Sequence, residues 1–182
     1  MLVAIVGVVA SALYVTISNM GRAENMLEKT AYPIKYSEFV DRAADKYNLD
    51  KPFIYAIIHT ESHFNPDCES YVGAQGLMQI MPETFQWLAK LKKETVSPSD
   101  YKDPETNIDY GCYFLKYLTK RYQSKTLAAA AYNAGFNAVD NWLKDPSISP
   151  DGKTLESIPY PETDNYVKKV KKASKMYRKL YF

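Results

Sequence analysis

The chain has 182 residues, of which 46% are apolar and 24% are charged. These values are typical of a globular protein with one core and exclude an intrinsically disordered chain. The formal net charge of +2 is unevenly spread, because seven cationic residues and no acidic one lie between Lys168 and Lys179, which leaves 16 cationic against 21 acidic residues elsewhere. A nucleic-acid-binding body would carry its basic residues over a whole face, so the charge pattern argues against that class.

Residues 1–21 carry no charged side chain and are nearly all apolar from Leu2 to Ile17. About 20 helical residues span the hydrocarbon core of a bilayer, so this segment is long enough for a membrane anchor. A cleaved signal peptide is the alternative, but no Lys or Arg precedes the apolar run, and the A-x-A site at Ala10–Ala12 would place cleavage too early. We expect an uncleaved anchor over residues 1–21 and a linker over residues 22–36.

From residue 37 onward, apolar residues recur at helical spacing, and no segment shows the convincing apolar–polar alternation of a strand. Prolines that follow Asp50 and Asp103 mark the starts of two helices. The sequence therefore predicts an all-α domain, with helices over residues 37–47, 52–63, 82–91, 104–122, 125–132, 137–144 and from 161 onward. We expect Gly135 to end one of them as a left-handed cap.

Glu61 occupies a position of the helix 52–63 where the pattern calls for an apolar residue. Ile54, Ile58 and Glu61 are spaced by four and three residues, so they share one helix face. A carboxyl group in apolar surroundings has a raised pKa because desolvation penalises its charged form, and it can then donate a proton at neutral pH. The alternative is that Glu61 lies at the helix end with its carboxyl in water and has no catalytic role.

His59 and His63 lie four residues apart and are a second candidate site, because two such histidines can ligate zinc. A zinc protease helix reads H-E-x-x-H, whereas this one reads H-T-E-S-H. Glu61 lies about 200° from His59 around the helix axis, so it could not act as the base of a metal that they held. No further Cys/His cluster offers a third ligand, and we expect neither a metal nor another cofactor.

Four blocks of sequence, in chain order, resemble the SLT-type lytic transglycosylase domain, a relative of goose-type lysozymes. They are Glu61-Ser62 with Phe64-Asn65-Pro66, Ser70 and Gly73–Pro82; Asn107-Ile108 with Gly111 and Leu115; Ala131-Tyr132-Asn133-Ala134-Gly135; and Ile158-Pro159 with Glu162-Thr163 and Tyr166-Val167. The resemblance covers about residues 37–180, within a catalytic domain that we place at 37–182. It implies a lysozyme-like helical fold that cleaves the MurNAc-β-1,4-GlcNAc bond of peptidoglycan and forms 1,6-anhydro-MurNAc.

The resemblance also implies roles for individual residues, with Glu61 as the single acid and base. The side chains that it places along the glycan are Ser70, Gln79, Met81, Tyr132, Asn133 and Glu162. Asn133 and Glu162 are the weaker candidates, because they could instead hold helices together. Gly73 and Gly76 would let the backbone approach the glycan closely, and Gln79 would offer its amide to the N-acetyl groups.

One carboxyl group is enough for this reaction, although an ordinary glycosidase uses two. Asp67 and Glu69 lie in the loop after the helix and are expected to be solvated. The substrate's own 2-acetamido oxygen can stabilise the oxocarbenium-like state. Glu61 would protonate the leaving oxygen and then take the proton of the O6 hydroxyl as that group attacks C1. A hydrolytic muramidase and a non-catalytic glycan-binding scaffold are the alternatives.

Cys68 and Cys112 either form a disulfide, which is allowed outside the cytoplasm, or remain as two buried thiols. The sequence leaves both alternatives open. We expect the catalytic domain to lie outside the cell membrane and to face the wall, or to be secreted if the N-terminal segment is cleaved. The expected partners are peptidoglycan glycan strands and the membrane, and not nucleic acid.

Overall fold

A computed structural model describes residues 19–182. The helices are α1 (residues 19–31 of the described chain), α2 (Ser37–Tyr47), α3 (Lys51–Ser62), α4 (Pro82–Lys92), α5 (Pro104–Tyr122), α6 (Lys125–Ala134), α7 (Phe136–Lys144) and α8 (Pro161–Tyr181), with one short 3-10 helix at Pro98–Tyr101. Between residues 19 and 182 the backbone forms isolated β-bridges but no strand. The predicted all-α fold is therefore confirmed, and each predicted helix end lies within two residues of the observed one.

Helix α3 lies at the centre of the domain, and each residue from Pro52 to Ile58 is buried. A helix that is apolar on all sides is stable only when other elements cover it completely. Helix α8 packs antiparallel to α3, because Arg178 binds Asp50 at the start of α3 (2.6 Å) while Tyr166 binds Glu61 at its end (2.6 Å). This packing brings the end of α3 and the beginning of α8 together.

Helix α5 joins the pair of α3 and α8 to the rest of the domain by packing against α2 and α6. Its Asp109 accepts hydrogen bonds from Lys46 (2.8 Å) and Tyr47 (2.9 Å) of α2 and from Lys92 (2.6 Å) of α4. The ammonium group of Lys92 also lies 3.8 Å from the ring centre of Tyr110. These contacts hold α2, α4 and α5 together.

The segment before α2 packs against the end of α8. Residues 22–31 of the predicted linker are helical, and Lys179 of α8 forms an ion pair with Glu28 (2.8 Å). Farther along, Tyr177 donates a hydrogen bond to the Pro33 carbonyl (3.1 Å). None of the helices between residues 19 and 182 is both long and apolar enough to cross a membrane. Residues 1–18, which make up most of the predicted anchor, lie outside the described residues.

Gly135 differs from the expected left-handed cap. Its φ of 83° is positive, as in a left-handed cap. Its ψ is 145°, however, and the left-handed helical region has a ψ of about 47°. Helix α6 continues to Ala134 and α7 begins at Phe136, so Gly135 alone forms the corner between them. A glycine suits this corner because side chains disfavour positive φ.

Candidate active site

Three helices fix the Leu77–Met78 segment of the loop that follows α3. Ser62, at the end of α3, donates its hydroxyl to the Leu77 carbonyl (2.8 Å). Asn107 of α5 accepts a hydrogen bond from the Met78 N–H (2.7 Å), and Tyr132 of α6 donates to the Met78 carbonyl (2.8 Å). The loop is therefore held in a defined position relative to the end of α3, where Glu61 lies.

Two glycines make this attachment sterically feasible. A Cβ atom at Gly76, whose φ is 79°, would lie 2.2 Å from Asn107 Nδ2 and 2.6 Å from the Tyr101 carbonyl oxygen. At Gly111 it would lie 2.3 Å from Met78 Sδ. The close approach at Gly76 is thus to α5 and the preceding 3-10 helix, and its approach to the glycan stays a prediction. Gly73 does face open space.

Glu61 is partly buried, and its Oε1 accepts a hydrogen bond of 2.6 Å from the Tyr166 hydroxyl. Ile54 and Ile58, on the same face of α3, are completely buried. Burial raises the pKa of Glu61 from an ordinary value of 4.5 to about 7, and the hydrogen bond from Tyr166 acts in the opposite direction. At neutral pH the carboxyl group therefore exchanges readily between its protonated and ionised forms.

Two tyrosine rings lie beside this carboxyl group. Burial, together with the nearby charge of Glu61, raises the pKa of both Tyr132 and Tyr166 well above the ordinary value of 10.0. Both hydroxyls remain protonated and act as donors, Tyr166 to Glu61 and Tyr132 to the Met78 carbonyl. Tyr166 belongs to one of the four sequence blocks but was not among the predicted site residues. Its place in that block was the sequence signal that could have identified it.

The predicted glycan-contacting residues of the loop lie near its tip and its end. Ser70 accepts a hydrogen bond from the Ala74 N–H (2.9 Å), which leaves its own hydroxyl proton free for a ligand. Gln79 uses its amide nitrogen to donate to the carbonyls of Cys68 (3.0 Å) and Gly76 (2.8 Å). Both amide hydrogens are thus used inside the loop, and donation by Gln79 to N-acetyl groups stays a prediction. Met81 is partly exposed immediately before α4.

The two weaker candidates lie where α6 meets α8. Asn133 Oδ1 accepts a hydrogen bond from the Thr163 hydroxyl (2.8 Å), which supports the reading that it holds these helices together. Glu162 is exposed in the first turn of α8. A substrate-binding role for either residue stays a prediction.

The carboxylates of the loop do not form a pair with Glu61. Asp67 and Glu69 are exposed, and Glu69 forms an ion pair with Lys102 (2.8 Å). Neither carboxylate contributes to the raised pKa of Glu61, whose causes are burial and the hydrogen bond from Tyr166.

Both cysteines are free thiols, so the disulfide alternative is not formed in the structure. Cys112 is buried in α5, and burial raises the pKa of its thiol. Cys68 is half-buried in the loop. The structure thus contains two thiols, of which Cys112 is fully buried and Cys68 is partly exposed.

The histidine pair lies on the other side of α3 from the Glu61 contact. The rings of His59 and His63 are 4.8 Å apart, and His59 Nε2 lies 3.1 Å from the Ala31 carbonyl oxygen. Within residues 19–182 no three or more His, Cys, Asp or Glu side chains are grouped so that they could hold a metal ion.

A cavity of about 540 Å³ between α2, α4 and α5 is a separate feature, because Glu61 does not line it. The charged side chains that line it largely form ion pairs with one another, such as Arg42 with Glu105 (2.6 Å) and Lys92 with Asp109 (2.6 Å). Such mutual pairing leaves little net charge for a ligand. The candidate active site is therefore the surface around Glu61.

The raised pKa of Glu61 leads to a prediction about stability. The folded-state pKa of about 7 exceeds the ordinary value of 4.5, so protonation of Glu61 stabilises the folded state. This stabilisation is fully present below about pH 4.5 and is lost as the pH rises through about 7. We expect Glu61→Gln, which cannot ionise, to raise the free energy of unfolding by up to about 3 kcal/mol at about pH 8 and to change it little at about pH 4.5. Urea unfolding at both pH values measures this, and an equal effect at both would contradict it.

Comparisons with known proteins identify the family. The family model of the transglycosylase SLT domain matches residues 38–153. The soluble lytic murein transglycosylase of Escherichia coli is 36% identical over 151 residues, which cover 81% of this chain and 23% of that protein. The membrane-bound lytic murein transglycosylase C of Edwardsiella ictaluri is 34% identical over 180 residues, which cover 86% of this chain and 49% of that protein.

Solved structures agree with the sequence matches. The 70 kDa soluble lytic transglycosylase of Escherichia coli superimposes with a TM-score of 0.76 at 34% identity over 84% of this chain and 25% of that chain. A complex of the 70 kDa soluble lytic transglycosylase with bulgecin A gives a TM-score of 0.77. The chain spans about a quarter of the length of the soluble relatives and about half of that of the membrane-bound ones. It belongs to the transglycosylase SLT domain family.

Proposed function

We propose that the chain is a peptidoglycan lytic transglycosylase that cleaves the MurNAc-β-1,4-GlcNAc bond and releases ends that carry 1,6-anhydro-MurNAc. The observation that carries this proposal is Glu61, a single partly buried carboxyl group with a pKa of about 7 that accepts a hydrogen bond from Tyr166. Membership of a family whose relatives are named as lytic murein transglycosylases supports it.

In the first step, protonated Glu61 donates its proton to the glycosidic oxygen, and the bond between that oxygen and C1 breaks. The substrate's 2-acetamido oxygen stabilises the positive charge that develops at C1. In the second step, the Glu61 carboxylate takes the proton of the O6 hydroxyl while O6 forms a bond to C1. No water is consumed and Glu61 ends protonated, so its pKa of about 7 suits both steps.

The hydroxyl of Tyr166 would stabilise the Glu61 carboxylate between the two steps. Activity requires protonated Glu61 in the free enzyme, so it should fall as the pH rises through about 7. The hydrogen bond from Tyr166 lowers the Glu61 pKa, so Tyr166→Phe should move this alkaline limb to higher pH and reduce kcat about 10-fold. The pH dependence of glycan cleavage measures both effects.

Tyr132→Phe provides a matched control for that prediction. It also removes one hydroxyl beside Glu61, but that hydroxyl donates to the Met78 carbonyl and not to the carboxyl group. We expect it to reduce activity without the shift of the alkaline limb. An unchanged limb in Tyr166→Phe, or the same shift in both variants, would show that Tyr166 does not set the Glu61 pKa.

The products distinguish the proposed reaction from its alternatives. Purified sacculi digested with the chain should release muropeptides that are lighter by one water than those of a muramidase, because the anhydro ring forms in place of hydrolysis. Mass spectrometry of the released material separates the two products. Hydrated ends would establish the muramidase alternative, and the absence of any released product would favour the non-catalytic scaffold.

We further propose that residues 1–21 attach the chain to the membrane, with the catalytic domain facing the wall. The apolar run from Leu2 to Ile17 supports this, as does the similarity to relatives named as membrane-bound. Fractionation of cells that express the full chain tests the proposal. Recovery in the carbonate-washed membrane pellet is expected, and release into the periplasm or medium would indicate cleavage instead.

A further inference from the structure

Helix α1 carries an exposed apolar face, which consists of Met20, Ala23, Met26 and Leu27. The side chains of Met20, Met26 and Leu27 belong to residues that are 67%, 70% and 71% exposed. At about 100° per residue, all four side chains lie within about 120° of the helix circumference. From Met20 to the end of α1, Thr30 is the one polar residue in that arc, and its hydroxyl donates to the Met26 carbonyl (2.9 Å).

The opposite face of α1 is polar and packs against the end of α8. Glu28 forms an ion pair with Lys179 (2.8 Å), and the ammonium group of Lys29 lies 5.5 Å from the ring centre of Tyr181. Around the helix axis, Glu28 and Lys29 lie about 140° and 120° from the middle of the apolar face. The contact with α8 therefore turns the apolar face of α1 away from the domain.

The end of α1 is fixed to the domain at further points. Tyr181 of α8 donates a hydrogen bond to the Tyr32 carbonyl (2.9 Å), and the ring of Tyr32 stacks on His59 of α3 with 5.0 Å between centroids. His59 Nε2 also lies 3.1 Å from the Ala31 carbonyl oxygen. Because α1 is attached to both α3 and α8, a surface that binds its apolar face also orients the catalytic domain.

The sequence before α1 indicates what covers this face. The apolar run from Leu2 to Ile17 is separated from the first residue of α1 by Ser18 alone, and membrane attachment is its proposed role. A helix with distinct apolar and polar faces at the edge of a membrane lies along its surface. Its apolar side chains then reach about 5 to 10 Å into the boundary between headgroups and acyl chains.

We propose that the apolar face of α1 lies in the surface of the bilayer and holds the catalytic domain in one orientation against the membrane. The inference rests on the proposed attachment through residues 1–21 and extends it from an anchor to an oriented contact. A second copy of the chain is the competing occupant of this face. Helix α1 covers residues 19–31, fewer than two heptads, whereas a coiled coil is sustained over about three or more.

The test places a tryptophan on either side of α1 in the full chain. Leu27→Trp lies on the apolar face and Asn25→Trp on the polar side, and both replaced residues are exposed, so the fold should be retained. The chain is reconstituted in vesicles of phosphatidylcholine that is brominated in its acyl chains. Leu27→Trp should lose about half of its added emission and Asn25→Trp little, with the parent as the background from Trp87 and Trp142.

Met26→Trp provides a second reporter on the apolar face and should be quenched like Leu27→Trp. Iodide, a quencher in water, should act on Asn25→Trp and spare the two others. Quenching of all three by iodide alone would overturn the inference. Protection of Leu27→Trp from both quenchers would also overturn it, because a second copy would then cover the face. Both results leave the attachment standing, whereas a parent chain that does not float with the vesicles would overturn attachment and inference together.

Discussion

Glu61→Gln is expected to lower the rate of glycan cleavage about 1,000-fold or more, because glutamine can neither donate the proton to the leaving oxygen nor accept it from O6. The fold should be retained, since glutamine has the shape of glutamate and its amide oxygen can still accept the hydrogen bond from Tyr166. Glycan binding should be retained for the same reason. Loss of turbidity of a sacculus suspension, together with counting of released muropeptides, measures the effect.

Glu69→Gln is the matched control for this loss. It removes a carboxylate from the loop that follows α3, but that carboxylate is exposed and pairs with Lys102 (2.8 Å). Its substitution should leave the rate within about 2-fold of the parent, because an exposed ion pair contributes little. Substantial turnover by Glu61→Gln, with Glu69→Gln unchanged, would contradict the assignment of the acid and base.

Asn107→Ala is expected to cause the largest loss of stability, about 3 to 5 kcal/mol, because the Met78 N–H and the Tyr101 carbonyl lose their buried partner and the Gln75 carbonyl keeps only the Ile80 N–H. Asn107 is completely buried and accepts from the Met78 N–H (2.7 Å), while its amide donates to the carbonyls of Tyr101 (2.6 Å) and Gln75 (3.0 Å). Activity should also fall, since the loop is released from α5. Urea unfolding and thermal melting measure the loss of stability.

Asn133→Ala tests whether that cost is specific to the loop attachment. Asn133 is an exposed asparagine of α6 with one side-chain hydrogen bond, to Thr163 (2.8 Å), so its removal should cost about 1 kcal/mol or less. If Asn107→Ala unfolded at the same urea concentration as Asn133→Ala, the inferred role of Asn107 would be wrong.

The sequence was informative wherever structure depends on local periodicity. The helices followed from apolar spacing and from proline and glycine positions, and all but the start of the chain could be compared with the structure. Glu61 was singled out because it continues the stripe of Ile54 and Ile58, and both isoleucines are completely buried. Burial of one helix face can be read from residues three and four apart.

Contacts between distant segments were not predictable in the same way. Tyr166 donates to Glu61 across 105 positions of the chain, and its place in a sequence block does not reveal that contact. Gln79 looked like a ligand donor, but its amide hydrogens bind carbonyls of its own loop. Gly76 looked like a point of close approach to the glycan, and the atoms that it approaches are those of Asn107 and Tyr101.

The titration of Glu61 tests the central claim most directly. Carbon-13 NMR of a chain labelled at glutamate side-chain carboxyls, with Glu61→Gln used to assign the resonance, gives the pKa of this group without reference to substrate. We expect a value of about 7, and a higher one in Tyr166→Phe. A value near 4.5 would show an ordinary solvated carboxylate and would contradict the account of Glu61 as the proton donor.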